Sequence, residues 1–306
     1  MKIKVIGYTP ASINTYTEII EGLKKQGYFV DTLLLHIYGE ALWNKPSINI
    51  ENVSEKDIRT LLYSELEGFD LVMYSLESGK ADRLIPEICD DLGIYSLGNV
   101  FTFWDSSYAE LKHRFGGKQK PDFITVTTED IKAIFEENIT ESKVFCWGNP
   151  FTDRLSDLKL DLDKLPEKRG VLHFFSQPNG TGGFEDTNTQ AKYMVEEFEA
   201  LIAEGYIDSM EVYIHPRENP EWFISKGYTP RRIENFLEAI SSEYIASASS
   251  TVMYEAVLLN KKSLKYTEDI KIKFKNKDFI KFNLELGGSL DKWLKGISDL
   301  HDLLEK

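Results

Sequence analysis

Residues 1–27, MKIKVIGYTPASINTYTEIIEGLKKQG, contain the pattern that decides the fold. A short run of β-branched and apolar residues, Lys2–Gly7, predicts a strand, and the polar stretch Tyr8–Asn14 predicts a loop. Thr15–Gln26 has the periodicity of an amphipathic helix, and Gly27 is a typical terminating residue. A strand followed by a loop and a helix is the first part of a βαβ crossover, so this segment predicts a parallel sheet.

The same alternation of apolar strands and amphipathic helices continues to about residue 147. Ser54 is the expected N-cap of one of these helices, with Asp57 at its third position. Continuous apolar strands between amphipathic helices indicate a doubly wound sheet covered on both faces. The predicted strands are Val30–Leu35, Phe69–Tyr74, Ile94–Leu97, Phe123–Thr127 and Lys143–Trp147; the predicted helices are Ser54–Leu66, Ala81–Leu92 and Thr128–Asn138.

The stretch Gly148–Arg169 breaks this rhythm with two prolines and a charge-rich run, and it is interpreted as an interdomain crossover. A second cycle follows, so the sequence predicts α/β architecture with domains at 1–150 and 151–306. The two Rossmann-like domains are expected to face a cleft, and the helix Leu290–Leu304 to fold back on the first domain. The second cycle comprises strands Val171–Ser176, Glu211–Ile214, Tyr244–Ala246 and Ser263–Tyr266 and helices Thr187–Glu204, Arg231–Ile240 and Ser250–Asn260.

Composition narrows the functional classes. The 306 residues carry 50 acidic and 36 basic side chains, a formal charge of −14, which argues against a nucleic-acid groove as the main binding surface. Cys89 and Cys146 lack the spacing of a zinc site or a disulfide framework, which favours a reducing cytoplasm. Apolar runs are too short to span a bilayer, and the N-terminus resembles a strand rather than a signal segment, so the mature protein is expected to begin at Met1.

One segment is basic: Lys261–Lys281 has eight lysines and three acidic residues. Its residues 270–275 alternate between apolar side chains and lysines, which predicts an edge strand with one apolar face, protected from aggregation by its lysines. The alternative is a basic rim that attracts an anionic acceptor or a membrane surface, which would make the protein membrane-peripheral.

Ligands of open α/β sheets bind at the carboxyl ends of the strands, so candidate residues are sought in the loops there. The loop that follows Glu211–Ile214 contains His215, Pro216 and Arg217. The imidazole and the guanidinium can both donate hydrogen bonds to a phosphate. Proline restricts the backbone of His215 and would fix the direction of its ring. An incidental surface histidine is the alternative.

A run of small hydroxyl residues, Ala246–Thr251, lies between a strand and a helix. Backbone N–H groups at the helix N-terminus, with Ser249, Ser250 and Thr251, would form an anion site. Ordinary N-capping by Ser249 or Ser250 explains the same residues without a ligand. Glu255, about one turn further along, is a candidate to bind ribose hydroxyls, or else a solvated helix carboxylate.

Two further loops are candidates. Phe175–Gly183 contains Gln177, an amide that both donates and accepts, among glycines that allow close backbone approach; it matches neither a dinucleotide fingerprint nor a P-loop. The alternative is that this segment is a flexible surface turn. In the first domain, Glu77 follows the strand Phe69–Tyr74 and is the candidate general base, with Asp105 and Glu40 as substitutes.

The motifs of the second half resemble those of the bacterial sialyltransferase and polysialyltransferase families of GT-B fold. The matching residues are Ser176–Pro178, His215–Glu218 and Ser249–Thr251, and Gly148-Asn149-Pro150 with Asp153 is similar to the segment that leads into the second domain of many GT-B enzymes. This resemblance covers roughly residues 145–265. It implies that His215, Ser249 and Ser250 contact the phosphate of a CMP-activated sugar.

The resemblance implies an acidic-acidic-Gly motif in the first domain, and the nearest match is Glu77-Ser78-Gly79, with serine at the second acidic position. Ser249–Glu255 also resembles the donor segment of UDP-sugar GT-B enzymes, and the paired His-Pro and Ser-Ser motifs recur in CDP-glycerol phosphotransferases. We therefore expect a glycosyltransferase with an acceptor-binding first domain and a nucleotide-sugar-binding second domain. Transfer would be inverting, without metal or other cofactor, to a glycan or other hydroxyl acceptor.

Three other functions fit the same sequence. A UDP-sugar transferase or a UDP-sugar 2-epimerase-like enzyme of this fold would share the nucleotide side. A non-catalytic nucleotide-binding relative would explain the imperfect motif at Glu77.

Overall fold

The computed structural model describes residues 1–8, 10–36, 48–50, 52–76, 81–101, 119–177, 189–215, 218–248, 250, 252–281 and 287–305. Contacts divide the chain into two compact units. The first unit comprises Met1–Asp153 and Gly287–Lys306, and the second comprises Arg154–Leu286.

The first unit contains a parallel sheet with, in its described part, seven strands in the order β3-β2-β1-β4-β5-β6-β7. The chain builds outward from β1 to β3 and then returns to the other side of β1, so the order reverses between β1 and β4. The strands are β1 Lys2–Gly7, β2 Phe29–His36, β3 Ile48–Asn49, β4 Leu71–Ser75, β5 Tyr95–Asn99, β6 Phe123–Val126 and β7 Lys143–Cys146.

Helices between these strands bury apolar residues in two clusters. Local sequence sets where two of them begin. The Ser54 hydroxyl accepts the Asp57 N–H at 3.2 Å, and the Thr128 hydroxyl accepts the Ile131 N–H at 3.2 Å, which are N-cap bonds. The helices are α1 Pro10–Lys25, α2 Glu55–Leu66, α3 Ala81–Leu92 and α4 Glu129–Asn138.

The C-terminal helix, Ser289–Leu304, also packs in the first unit, as the sequence predicts. Its Trp293 is fully buried and donates from Nε1 to the Gly148 carbonyl at 3.1 Å. Asp153 accepts the first two N–H groups of the helix, at 3.0 and 2.8 Å. The segment from Gly148 to Asp153 therefore anchors this helix, and the compact second unit ends at Leu286 rather than at residue 306.

The second unit contains a parallel sheet whose described strands run in the order β11-β10-β8-β9. The chain passes from β8 to β9 on one side and then to β10 on the other, so its order reverses between β8 and β10. The strands are β8 Lys168–Phe175, β9 Ser209–Tyr213, β10 Ser242–Ser247 and β11 Lys262–Lys265; the helices, with the C-terminal one numbered α11, are α5 Phe151–Leu162, α6 Thr189–Ala203, α7 Glu221–Ser225, α8 Phe236–Ala239, α9 Val252–Leu258 and α10 Ile270–Lys275.

The predicted strand across residues 270–275 is wrong, because this segment is helix α10. Ile270 and Phe274 are buried, whereas Ile272 is 60% exposed. Residues four apart share one face of a helix, so the burial pattern follows a helical period rather than an alternating one. Beside this buried face, Lys271 and Lys275 both pair with Glu204 at 2.5 Å.

Three other lysines of this segment also contact carboxylates. Lys261 pairs with Glu167 at 3.1 Å and Lys262 with Glu243 at 2.5 Å. Lys273 lies 3.8 Å from Asp269. These contacts neutralise much of the basic charge within the unit itself, and membrane contact through Lys261–Lys281 gains no support from them.

The predicted helix Arg231–Ile240 is also wrong in length, since only Phe236–Ala239 is helical. The Arg231 N–H donates to Val212 at 2.9 Å, and its carbonyl accepts from Ile214 at 2.8 Å. The main chain at Arg231 thus extends the edge of β9 instead of coiling. The expected crossover Gly148–Arg169 contains helix α5.

Candidate functional site

Three loops that carry predicted site residues leave one edge of the second sheet. The register aligns Ser247 of β10 with Phe175 of β8, and Phe175 with Tyr213 of β9. Because the strands are parallel and adjacent, the chain segments that follow them begin side by side. This edge includes the point between β8 and β10 where the strand order reverses, the usual ligand position in such sheets.

A buried hydroxyl joins the two strands at that point. Ser247 is fully buried, and its Oγ donates to the Phe175 carbonyl at 2.7 Å. The same oxygen accepts the Ser250 N–H at 3.1 Å. One side chain therefore fixes the end of β8 and the start of the loop that precedes α9.

The loop after β9 is held by Glu218. The Glu218 N–H donates to the His215 carbonyl at 2.9 Å. Its carboxylate accepts the His215 N–H at 3.3 Å and the Ser176 hydroxyl at 2.7 Å. Glu218 is only 2% exposed. The loops after β8 and β9 are thus joined through one buried carboxylate.

The predicted residues that the structure describes lie around this edge. Gln177 follows β8 and His215 follows β9, both partly exposed. Ser250 precedes α9, and Glu255 lies in its first turn. The remaining predicted site residues lie outside the described residues, and so do the two alternative bases: Glu77, Pro216, Arg217, Ser249, Thr251, Asp105 and Glu40.

Ser250 acts as an N-cap. Its Oγ accepts the Val252 N–H at 3.3 Å. This is the capping role that the sequence offered as the alternative to an anion site. Ser250 is partly exposed and lies at the same edge of the sheet as His215 and Gln177.

A cavity of about 730 Å³ lies beside this loop cluster within the second unit. Its volume is in the range of small-molecule sites. Tyr213 lines it and stacks on Phe175, with ring centroids 5.1 Å apart. The wall combines aromatic, aliphatic and charged residues: Tyr213, Ile214, Pro220, Ile224, Tyr228, Thr229, Pro230, Arg231, Arg232, Glu234, Asn235 and Glu238.

A charged cluster supports one wall of the cavity. Glu211 accepts hydrogen bonds from Lys168 at 3.0 and 3.1 Å and pairs with Arg231 at 3.2 Å. Burial opposes ionisation of Glu211, but the Lys168 hydrogen bonds together with the charges of His173, Lys168 and Arg231 outweigh it, so the pKa of Glu211 is lowered. His173, fully buried, places Nδ1 2.6 Å from the Ala239 carbonyl and Nε2 3.4 Å from Glu211. Burial lowers the pKa of His173, which opposes protonation of the ring.

The first sheet has its own reversal point between β1 and β4. Strand β4 ends at Ser75, and Glu77 follows it two residues later in the sequence. The hydroxyls of Tyr74 and Ser75 are buried and have no hydrogen-bond partner among the described residues. Asp82 in the first turn of α3 is 3% exposed. Burial, and then Asp82, raise the pKa of Tyr74 well above its usual value.

Three residues at these edges were not predicted as site residues from the sequence: Glu218, Ser247 and Asp82. Glu218 stands three residues after His215, and this spacing fits an i to i+3 turn. The roles of Ser247 and Asp82 depend on burial next to another strand or loop, which spacing alone does not show.

Within the described ranges, no group of three His, Cys, Asp or Glu side chains is placed to hold a metal ion. None of the helices described in the structure is both long and apolar enough to cross a membrane.

No protein-family model matches the sequence, and no curated protein matches it. Solved structures match its fold. The UDP-GlcNAc 2-epimerase of Methanocaldococcus jannaschii, in complex with UDP-GlcNAc and UDP, is 17% identical with a TM-score of 0.68, over 99% of this chain and 100% of that chain. The UDP-N-acetylglucosamine 2-epimerase of Rickettsia bellii is 15% identical with a TM-score of 0.61, over 98% of this chain and 88% of that chain.

A glycosyltransferase from Rickettsia africae is similar at 11% identity and a TM-score of 0.50, over 100% of this chain and 99% of that chain. The chain therefore has a GT-B-like α/β fold built from two Rossmann-like units, as predicted. The structures similar to it are enzymes that include UDP-GlcNAc 2-epimerases and a glycosyltransferase.

Proposed function

We propose that this protein is an enzyme acting on UDP-linked sugars, and that the second unit holds the nucleotide at the carboxyl edge of its sheet. The observation that carries the proposal is the convergence of the loops after β8, β9 and β10 on one edge. Gln177, His215 and Ser250 begin or follow these loops. The similar structures, with UDP-GlcNAc and UDP in one of them, favour a UDP-linked over a CMP-linked donor.

The residue types that follow β9 and β10 in the sequence suit a diphosphate. His215 supplies a ring N–H, and Arg217 a planar guanidinium that matches two phosphate oxygens. Ser249, Ser250 and Thr251 add hydroxyl groups. Donors of this kind stabilise the negative charge that develops on a departing phosphate.

The cavity beside the loops is the proposed place for the nucleoside base. It is lined by Tyr213 and Ile214, the two residues immediately before His215, so the base and the phosphates would be adjacent. Asn235, also in its wall, supplies an amide that can both donate to and accept from a pyrimidine. Glu255 is the candidate for the ribose hydroxyls, and Gln177 contacts the ligand from β8.

We infer that the reaction is inversion at C2 of a UDP-N-acetylhexosamine. A base removes the C2 proton while the C1–O bond to UDP breaks, which leaves a C1=C2 double bond and a departing diphosphate; UDP then adds back at C1 as an acid returns a proton to C2 on the opposite face. This sequence requires acid and base groups near the sugar. The first unit supplies the candidates: Glu77, after β4, and the buried Asp82. The reaction is expected to need no metal, so EDTA leaves turnover unchanged.

Incubation with UDP-GlcNAc alone in D₂O tests this proposal. An epimerase converts the sugar nucleotide without an acceptor, and the product carries deuterium at C2, seen as loss of the H2 signal in the proton NMR spectrum. Unchanged UDP-GlcNAc would contradict the epimerase assignment. A parallel incubation with CMP-sialic acid and glycan acceptors tests the CMP-dependent transfer expected from the sequence.

Glycosyl transfer from a UDP-sugar is the second candidate, supported by the likeness to the Rickettsia africae glycosyltransferase over the whole chain. It predicts UDP release only when a hydroxyl acceptor is added. The first unit would then bind the acceptor, and its carboxylate would take the acceptor proton. Nucleotide binding without turnover in either assay would indicate the non-catalytic alternative.

His215→Ala tests the nucleotide side in both cases. Loss of a donor to the departing phosphate lowers kcat by at least about tenfold, or about 1.4 kcal/mol, while the fold is kept. His301→Ala is the matched control, because His301 lies on α11 in the first unit and pairs with Glu305. Equal activity of the two variants would contradict the proposed role of His215.

A further inference from the structure

Glu218 is a buried carboxylate to which the proposed reaction gives no role. It is 2% exposed, and its two oxygens accept hydrogen bonds from different loops. The Ser176 hydroxyl lies 2.7 Å from Oε1, and the His215 N–H lies 3.3 Å from Oε2. Burial of a carboxylate is unfavourable unless its oxygens accept such bonds, so these contacts explain how the structure tolerates it.

The contacts of Glu218 fix the main chain of His215 on both sides. The Glu218 N–H donates to the His215 carbonyl at 2.9 Å, and the carboxylate accepts the His215 N–H. These two hydrogen bonds therefore hold the backbone of His215, from which the imidazole projects, in one position. The link to Ser176 sets this point relative to the loop that contains Gln177, and the Ser176 N–H donates to Tyr213 at 2.8 Å, which joins β8 and β9 a second time.

We propose that Glu218 is a positioning residue for the nucleotide diphosphate: it sets the distance between the His215 loop and the Ser176-Gln177 loop, and it does not touch the substrate. This inference rests on the proposed function for the identity of the ligand. The hydrogen bonds on which it depends join residues of the protein and do not depend on which ligand binds.

Replacement by glutamine separates this role from acid-base catalysis. In Glu218→Gln the amide oxygen can accept the His215 N–H, and the amide NH₂ can donate to Ser176, because a hydroxyl can turn from donor to acceptor. The links between the loops survive although the charge and the titratable group are lost. Glu218→Ala removes both links.

The first experiment measures the Kd of UDP by calorimetry, and kcat and KM for UDP-GlcNAc. Glu218→Ala should weaken UDP binding and lower kcat by about tenfold to a hundredfold, since small displacements of positioned groups have effects of this size. Glu218→Gln should stay within about threefold of wild type, and Ser176→Ala, which removes one link, should fall between the two variants.

Glu243→Ala is the matched control. This carboxylate, in the same unit, also accepts a backbone N–H, from Gly170 at 2.9 Å, and pairs with Lys262. Its loss should lower the thermal midpoint without changing the Kd of UDP. A Glu218→Gln variant as impaired as Glu218→Ala would overturn the proposal in favour of a catalytic carboxyl group. Wild-type Kd and kcat in folded Glu218→Ala would overturn it in favour of a purely structural role.

A second measurement needs no ligand: hydrogen exchange of the His215 amide. It should be accelerated in Glu218→Ala and unchanged in Glu218→Gln. If wild-type protein fails to bind UDP, the proposed function fails, while this exchange still tests the links between the loops. Unchanged exchange at His215 in Glu218→Ala would refute the positioning role itself.

Discussion

Ser247→Ala should destabilise the second unit because its hydroxyl is the bond between β8 and the loop before α9. The side chain is fully buried, and the substitution removes a 2.7 Å donation to Phe175 and a 3.1 Å acceptance from Ser250. Each lost hydrogen bond costs about 1 kcal/mol, and an N–H group deprived of its acceptor adds to this. Since alanine leaves no sizeable cavity, the expected loss is about 2 kcal/mol of unfolding free energy.

Urea titration of wild type, Ser247→Ala and Ser263→Ala measures this loss. Ser263 is the matched control: it is also a fully buried serine in a strand of the same sheet, but its hydroxyl has no hydrogen-bond partner among the described residues. Its replacement should change stability by less than about 0.5 kcal/mol. If the two alanine variants are equally stable, Ser247 does not join β8 to the loop in the way described.

Two further predictions concern burial and backbone conformation. Burial lowers the pKa of His173 in the folded protein, so its imidazole binds a proton more readily in the unfolded chain. The free energy of unfolding should therefore be greatest above about pH 6.5, the ordinary histidine pKa, and fall as the pH drops below it. Urea titrations at pH 7.5, 6 and 5 should show a smaller fall in His173→Gln than in wild type. Equal falls in the two proteins would refute this explanation. Gly148→Ala should lower the thermal midpoint more than Gly227→Ala. Both glycines have positive φ, 77° and 88°, but only at Gly148 would a Cβ lie 2.5 Å from Ser289 Oγ. Equal thermal midpoints of the two variants would contradict a close contact between Gly148 and the C-terminal helix.

Much of the fold was predictable from local pattern. Most strands of both sheets contain short apolar runs that pack against helices whose own periodicity is visible in the sequence. The two-residue strand β3 is exposed and has no such pattern. The return of the C-terminal helix to the first unit was also predicted, and Trp293 explains its stability there.

Two secondary-structure predictions are wrong, one where two periods fit the same residues and one where a main-chain contact replaces a helix. In residues 270–275 the apolar positions 270 and 274 satisfy both an alternating and a helical spacing, and contact of Lys271 and Lys275 with Glu204 favours the helix. That carboxylate is distant in sequence, so local pattern could not reveal it. At Arg231 a main-chain bridge to β9 displaces the helix that the residue types favour.

The candidate loops are predictable from motifs, but the network that joins them is not. His215, Gln177 and Ser250 are candidates because each follows a strand, and the parallel sheet brings their loops to one edge. The groups that hold these loops together, Glu218 and Ser247, act across strands. Their roles depend on burial and distance, which the sequence does not show directly.

Hydrogen–deuterium exchange with and without UDP tests whether the nucleotide binds at the carboxyl edge of the second sheet, because it reports both binding and its location. Saturating UDP should slow exchange at residues 176–177, 214–215 and 247–250, in the three loops at that edge. Binding at 100 times Kd would also add roughly 2.7 kcal/mol to stability. Unchanged exchange at these loops, or protection confined to other segments, would contradict the claim.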